Sequence, residues 1–298
     1  MSIHAVIVSY NPDIAAFTKV IESLSAQVRA VTIVDNASKN GDEVERLAQA
    51  HQLQLIRFAE NKGIAAAQNA GIDAAKAAAA GYVLLMDQDT TLPSGAVSTL
   101  SQHCQTLEAQ GIKIGAIGCA YRDTHDGKLN AIWRADGLFL HRQNFKLEDT
   151  TIVEADCVIA SGSLIPVSTL EAVGDMEADL FIDLVDIEWG LRAKSQGYRN
   201  FISFSQVMAH TLGNGRISIF GKTISLHSPI RNYYSIRNSI LLSQRRYIDI
   251  AWRFYFIRRV LPYFIVFGLF GNQKKTRLKL MLRGMVDSFT ARKGAYTA

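Results

Sequence analysis

The strongest constraint on this chain is a repeated alternation across residues 3–87. Four short apolar runs, IHAVIVSY (3–10), AVTIVDN (30–36), LQLIRF (53–58) and YVLLMD (82–87), are separated by stretches with helical spacing. Runs this short, bounded by turn residues such as Asn11-Pro12, read as buried strands. Between the first two, Ile14, Phe17, Ile21 and Leu24 share one face of a helix expected over 13–27. Further helices are expected around 43–51 and within 61–80. Strands alternating with helices predict an α/β fold, a mostly parallel sheet with helices on both faces. Such sheets bind ligands at the carboxyl ends of their strands. The ends here are Ser9-Tyr10-Asn11-Pro12, Asp35-Asn36, Asn61-Lys62-Gly63 and Asp87-Gln88-Asp89. A turn or helix cap accounts for each one singly. Four together predict a polar cleft.

Beyond residue 93 the pattern loosens. A helix is expected over 94–111 and strands over 113–122 and 138–145. Residues 153–174 read as a strand, a small-residue loop and a short helix, and 181–200 as an amphipathic helix stopped by Gly197. One or two strands follow, in FISFSQVMAHTLG. No internal repeat is visible.

Composition separates the tail from the body. Residues 229–298 hold 14 of the 32 Lys+Arg but only two of the 27 acids, which leaves 18 basic and 25 acidic residues in the rest. A basic tail on an acidic body predicts an anionic partner for the tail. The apolar fraction of 48% marks a folded chain, and Cys104, Cys119 and Cys157 have no disulfide or metal spacing. The N-terminus has no basic stretch before its apolar run and does not read as a signal peptide.

The carboxylates carry the chemistry. Asp87 and Asp89 lie two apart, so on an extended segment both face one side. A pair of oxygen ligands suits Mg²⁺ or Mn²⁺ completed by phosphates. Asp183, Asp186 and Glu188 sit among Phe181, Leu184, Val185, Ile187 and Trp189. A carboxylate in apolar surroundings has a raised pKa and suits a general base, whereas acids at a helix start are also ordinary. His210, in VMAHTLGNG, can complete a metal shell or be structural.

In order along the chain, VIVSYNP, IVDNAS, ENKGIAAAQNAGI, LLMDQDT, FIDLVDIEWGLRAKSQGY and HTLG resemble the family 2 inverting glycosyltransferases of GT-A fold, within them the bacterial rhamnosyltransferases of cell-surface polysaccharide such as O-antigen. The resemblance spans residues 3–240. It implies a catalytic domain over 1–228, with a nucleotide-binding half to about 110 and an acceptor half to 228, followed by a helical extension over 229–298. Ser9, Tyr10 and Asp35 would meet the base and ribose, with Asn61, Lys62, Gly63 and Asn69 beside the nucleotide. Asp89 would hold the metal, Mg²⁺ or Mn²⁺, with His210 as a further ligand, Asp87 on the ribose or the metal, and Gln88 against the donor. Ser161, Gly162 and Ser163 fall where the family lines its sugar pocket. Asp186 matches the family's general base, but Val185 replaces the Glu that precedes it, so Asp183 and Glu188 stay open as alternatives. The implied reaction moves L-rhamnose from dTDP-β-L-rhamnose to a lipid-linked glycan in one inverting displacement. A UDP-hexose donor, or a nucleotide-binding scaffold without catalysis, are the competing readings.

The tail mixes aromatic, aliphatic and basic residues. Its strongest apolar run, VLPYFIVFGLFG (260–271), is shorter than the roughly 20 residues a spanning helix needs. Arg258-Arg259 and Lys274-Lys275 flank it. This predicts helices lying on an anionic membrane surface, hence a peripheral enzyme at the cytoplasmic face, rather than a packed soluble subdomain. Arg231 and Arg237 would reach a diphosphate. No nucleic-acid motif is present. A homo-oligomer is left open.

Overall fold

The computed structural model describes residues 2–123, 127–145, 151–210, 215–219, 222–290 and 292–297, with side chains at 210, 215–219 and 222–225 left aside. The chain runs β1 (Ile3–Ser9), α1 (Ile14–Ser25), β2 (Ala30–Asp35), α2 (Gly41–Ala50), β3 (Gln54–Arg57), α3 (Ile64–Ala77), β4 (Tyr82–Asp87) and α4 (Ala96–Ala109). There follow β5 (Ile114–Asp123), a hairpin of β6 (Ile132–Asp136) and β7 (Phe139–Gln143), β8 (Ile152–Ala155), β9 (Ser163–Pro166), α5 (Val167–Val173), α6 (Val185–Ser195) and β10 (Arg199–His210). A second hairpin, β11 (Gly215–Ile219) and β12 (Lys222–Leu226), leads to α7 (Pro229–Ser243), α8 (Ile250–Arg258), α9 (Val260–Ile265), a π-turn (Val266–Phe270) and α10 (Lys274–Phe289).

Eight strands form one sheet in the order β3-β2-β1-β4-β9-β5-β10-β8. The first four are mutually parallel; β9 runs antiparallel between β4 and β5, and β10 returns parallel to β5. Successive residues of a strand face opposite sides, so β1 feeds two cores. Ala5 and Ile7 pack with Phe17, Leu24, Val44 and Leu100, while Val6 and Val8 pack with Ala65, Ile72, Leu170 and Trp189. The alanines of α3 let that helix lie close to the sheet. At Gly71 a Cβ would come within 2.1 Å of Val6 Cγ1, so the contact admits no side chain there. Asp13 starts α1 by accepting the Ala16 N–H at 2.8 Å.

The four N-terminal strands and their helices fall where the alternation predicts them. The strand expected over 138–145 is β7, and it pairs with β6 in a hairpin separate from the main sheet. One expectation is corrected. The helix expected over 181–200 is shorter at both ends: Phe181, Asp183 and Leu184 have φ of 65°, 66° and 66°, and a strand begins at Arg199. Left-handed backbone cannot continue a helix, and contacts from α7 impose it here.

The basic extension packs on the body. Every residue of α7 from Asn232 to Ser243 is buried. Trp252 donates its Nε1–H to Asp156 at 2.8 Å, and Lys194 bonds Asp249 at 2.6 Å. Among the described residues, no helix is long and apolar enough to cross a membrane.

Candidate active site

β1, β2 and β4 end side by side, with Ser9 opposite Asp35 and Val8 opposite Asp87. This register gathers the polar strand ends, but several of their side chains serve each other. Ser9 Oγ donates to Asp35 at 2.9 Å, and the Ser38 backbone N–H reaches the other oxygen at 3.1 Å. Asp35 is 1% exposed, so in this structure it braces a loop instead of presenting itself to a base or ribose. Asn61 accepts from Asn36 at 3.1 Å and from the Gly63 N–H at 2.9 Å, and Asn36 accepts the Lys62 N–H at 2.9 Å. Gly63 needs to be glycine twice over: φ is +85°, and a Cβ would meet the Phe181 carbonyl oxygen at 2.4 Å. Gln88 clips the loops together, accepting the Tyr10 N–H at 2.7 Å. Tyr10 and Lys62 remain exposed above this braced floor.

Asn69 departs from the expected nucleotide contact. Its side chain makes a two-way bond with the backbone of Met176, both at 2.9 Å, and so ties α3 to the loop before α6.

Asp87, Asp89 and Asp186 form the acidic centre. Burial pushes the Asp87 carboxyl up to about 7, helped by Asp89 and Asp186 and opposed by Arg231. Asp89 is exposed. Asp186, in the first turn of α6, is raised chiefly by burial, against the backbone N–H groups of Ile187 (2.9 Å) and Ala160 (3.2 Å) that hold its anion. Residues 160–163 link the two acids: Ala160 N–H bonds Asp186, and Ser161 Oγ accepts the Asp87 N–H at 3.1 Å. Ser163 donates to the Ala160 carbonyl at 2.7 Å, and Gly162 takes φ +77°. All three small residues are buried; Ser161 and Ser163 bond their neighbours, so they shape the floor beneath the acids.

The two alternative bases are committed elsewhere. Asp183 is ion-paired with Arg231, whose Nε donates at 3.1 Å, and accepts from Ser235 at 3.1 Å. Glu188 is fully buried, paired with Arg192 at 2.8 Å and bonded by the Tyr247 hydroxyl at 2.6 Å. Among the described residues, Asp186 alone of the three is held only by backbone donors.

Arg237 does not reach a diphosphate. It is buried, donating to the carbonyls of Gly294 (2.6 Å), Asp179 (3.1 Å) and Leu180 (3.0 Å). Asn238 beside it donates to Leu180, Ile182 and Asp183 at 3.0, 2.8 and 2.8 Å. Together they hold the left-handed turn that aims Asp186. The sequence signal for this clamp is the Arg-Asn pair repeated in IRNYYSIRN, polar residues inside a buried helix.

A divalent cation fits this donor set. Among the described residues no group of three His, Cys, Asp or Glu is placed to hold a metal ion by itself, so the protein would offer the oxygens of Asp89 and Asp87. Hard cations completed by phosphates take such a pair, and a cation would offset the burial and the neighbouring acids that raise Asp87. His210 ends β10 opposite Asp123; its side chain lies outside the described residues.

The family signature of glycosyl transferase family 2 matches residues 4–165, more than half of the chain. The chain belongs to glycosyl transferase family 2. A dTDP-rhamnosyl transferase, RfbF of Shigella flexneri, is 29% identical over 98% of this chain and 96% of its own. The fold is shared with TarS of S. aureus in complex with UDP-GlcNAc (TM-score 0.59, 14% identity, 98% of this chain and 82% of that one). GalNAc-T7 with UDP, GalNAc and Mn²⁺ also shares it (TM-score 0.58, 13% identity, 98% and 57%). The sheet is therefore a GT-A-like sheet, and the protein is a glycosyltransferase.

Proposed function

We propose that this glycosyltransferase moves L-rhamnose from dTDP-β-L-rhamnose to a hydroxyl of a lipid-linked glycan in bacterial cell-surface polysaccharide synthesis. The observation that carries the reading is the convergence of Asp87 at the end of β4 and Asp89 just after it with Asp186 from α6, in a chain related along its length to a dTDP-rhamnosyl transferase. The nucleotide lies over Tyr10 and Lys62 with its diphosphate toward Asp87 and Asp89. Bound there, a Mg²⁺ or Mn²⁺ ion would neutralise charge on the departing diphosphate.

Asp186 supplies the base. The acceptor oxygen forms a bond to the anomeric carbon while the bond from that carbon to the diphosphate oxygen breaks. The hydroxyl proton passes to Asp186, and the configuration inverts. Burial raises the proton affinity of Asp186, which strengthens it as a base, while the Ala160 and Ile187 N–H groups keep it ionised and aimed.

Residues 1–228 are read as the catalytic unit and 229–298 as its membrane-facing extension at the cytoplasmic surface. Ile250, Phe254, Ile257, Leu261, Ile265 and Leu269 are 40–67% exposed and recur at helical spacing along α8, α9 and the π-turn. A continuous apolar stripe beside basic residues supports interfacial binding.

Transfer assays with mass detection test the donor. dTDP-rhamnose should support turnover and UDP-sugars should not; the reverse preference rejects rhamnose. Asp186→Asn should bind donor normally and turn over at least ~100-fold more slowly, and unimpaired turnover rejects the base. Asp89→Ala retaining full activity after thorough metal removal rejects the metal role.

A further inference from the structure

Helices α7, α8 and α9 and the π-turn enclose a cavity of about 610 Å³ whose lining includes His227, Arg231, Tyr255, Arg258, Arg259 and Tyr263. That volume lies in the range of small-molecule sites, about 300–1,000 Å³. Among the described residues, three arginines line it and no carboxylate does. Arg231 connects it to the catalytic centre, since the same side chain pairs with Asp183 and acts on the charge of Asp87. Among the described residues, neither Arg258 nor Arg259 has a carboxylate within ion-pair distance, and Arg258 is exposed. Arg259 is held in place by aromatic rings: its guanidinium lies 5.0 Å from the Tyr263 ring and 5.9 Å from Tyr255, and bonds the Tyr263 hydroxyl at 2.9 Å. Asp183 already pairs with Arg231 and acts on Arg259 from farther off, so one carboxylate serves a cavity lined by three guanidinium groups, and an added anion would be attracted there. Guanidinium groups match phosphate oxygens in geometry as well as charge.

The neighbouring face of the same helices is apolar. Tyr255, Arg258, Arg259 and Tyr263 turn into the cavity, while Phe254, Ile257, Leu261 and Ile265 stay exposed. A molecule with a phosphorylated head in the cavity could lay its chain along that stripe without leaving apolar contact. Inorganic phosphate would use the arginines but leave the stripe bare.

We propose that this cavity binds the phosphate or diphosphate that joins the acceptor sugar to its lipid chain, with Arg258 and Arg259 on the phosphates and the chain on the apolar stripe. Asp87 and Asp89, where the donor diphosphate is placed, are not among the residues that line the cavity, and Arg231 stands between the two. The inference rests on the transferase reading above, and adds to it where the acceptor's charge is held.

The test is vesicle co-sedimentation of the full chain. Phosphatidylcholine vesicles carry a small fraction of a long-chain prenyl diphosphate; controls carry the prenyl alcohol, or phosphatidylglycerol at matched charge. Inorganic diphosphate is the soluble competitor. The wild type should bind the prenyl diphosphate vesicles about ten-fold more tightly than either control, and Arg258→Gln and Arg259→Gln should each lose about ten-fold, the loss expected for one charged hydrogen bond. Arg259→Lys should recover part of the loss. Thermal-shift affinity for the donor nucleotide should be unchanged in all variants, which also shows that they fold. Equal binding to phosphatidylglycerol vesicles would reduce the site to general membrane charge. Inorganic diphosphate competing at the lipid's own affinity would assign the arginines to a soluble anion, and wild-type binding by both Gln variants would remove them from any site. Donor binding without lipid-diphosphate recognition overturns this inference alone; lipid-diphosphate recognition without donor binding overturns the proposed function alone.

Discussion

Replacing Asn238 with Leu should disable catalysis from a residue that touches no substrate. The side chain donates to three carbonyls, those of Leu180, Ile182 and Asp183, at 2.8–3.0 Å. The amide has two N–H donors to share among the three carbonyls, so at about 1 kcal/mol net each the clamp contributes about 2 kcal/mol. They restrain a segment in which Phe181, Asp183 and Leu184 are left-handed, each costing about 1–2 kcal/mol. Clamp and strain are thus of the same order, and losing Asn238 should release the turn while Arg237 still anchors Asp179 and Leu180. The turn leads directly into α6, so its relaxation displaces Asp186. A shift of about 1 Å at a reacting group lowers rate about 100-fold. In N238L, kcat should therefore fall about 100-fold, donor affinity should fall far less because Tyr10, Gln88 and Asp89 lie on other loops and only the Lys62-Gly63 loop touches the turn through Phe181, and limited proteolysis should cut faster near residues 179–184. Wild-type kcat in N238L would refute the clamp. Parallel loss of donor affinity and turnover would point to general unfolding.

Three further outcomes follow from the geometry. Glu188→Ala strands the buried Arg192 guanidinium and should lower stability by about 3–5 kcal/mol, read by urea unfolding; donor affinity should be unchanged in the folded fraction. Asp87 has a folded pKa of about 7 against 3.8 unfolded, so its protonated form is favoured on folding. Its contribution is complete below 3.8 and lost as pH climbs through about 7; in chelator, Tm should drop across that window, Asp87→Asn should flatten the drop, and added Mg²⁺ should bind more tightly toward its upper end. Leu261→Glu, on the 67% exposed crest of the apolar stripe, should weaken vesicle binding several-fold without lowering Tm.

The N-terminal half was legible because its information is local. Short apolar runs, a 3.6-residue period and turn residues at fixed offsets depend on neighbours in sequence, and β1–β4 with their helices fell accordingly. The cluster of strand ends was legible for the same reason: a parallel sheet carries its strand ends to one edge. The roles within the cluster were less so. Asp35 and Asn69 have the residue types of ligand contacts, yet one braces Ser38 and the other Met176, because buried polar groups take whichever partner packing supplies.

The sequence by itself determined a doubly wound α/β sheet, an acidic pair at the end of its fourth strand, and a basic tail with an apolar face. Only the tertiary structure distinguishes the surroundings of Asp183, Asp186 and Glu188. Arg231 approaches Asp183 from 48 residues away and Tyr247 reaches Glu188 from 59, while Asp186 is left with two backbone donors beside Asp87. No local pattern encodes those distances. The left-handed turn likewise contradicts the helical spacing of 181–200, and it persists because Asn238 and Arg237, distant in sequence, satisfy its carbonyls.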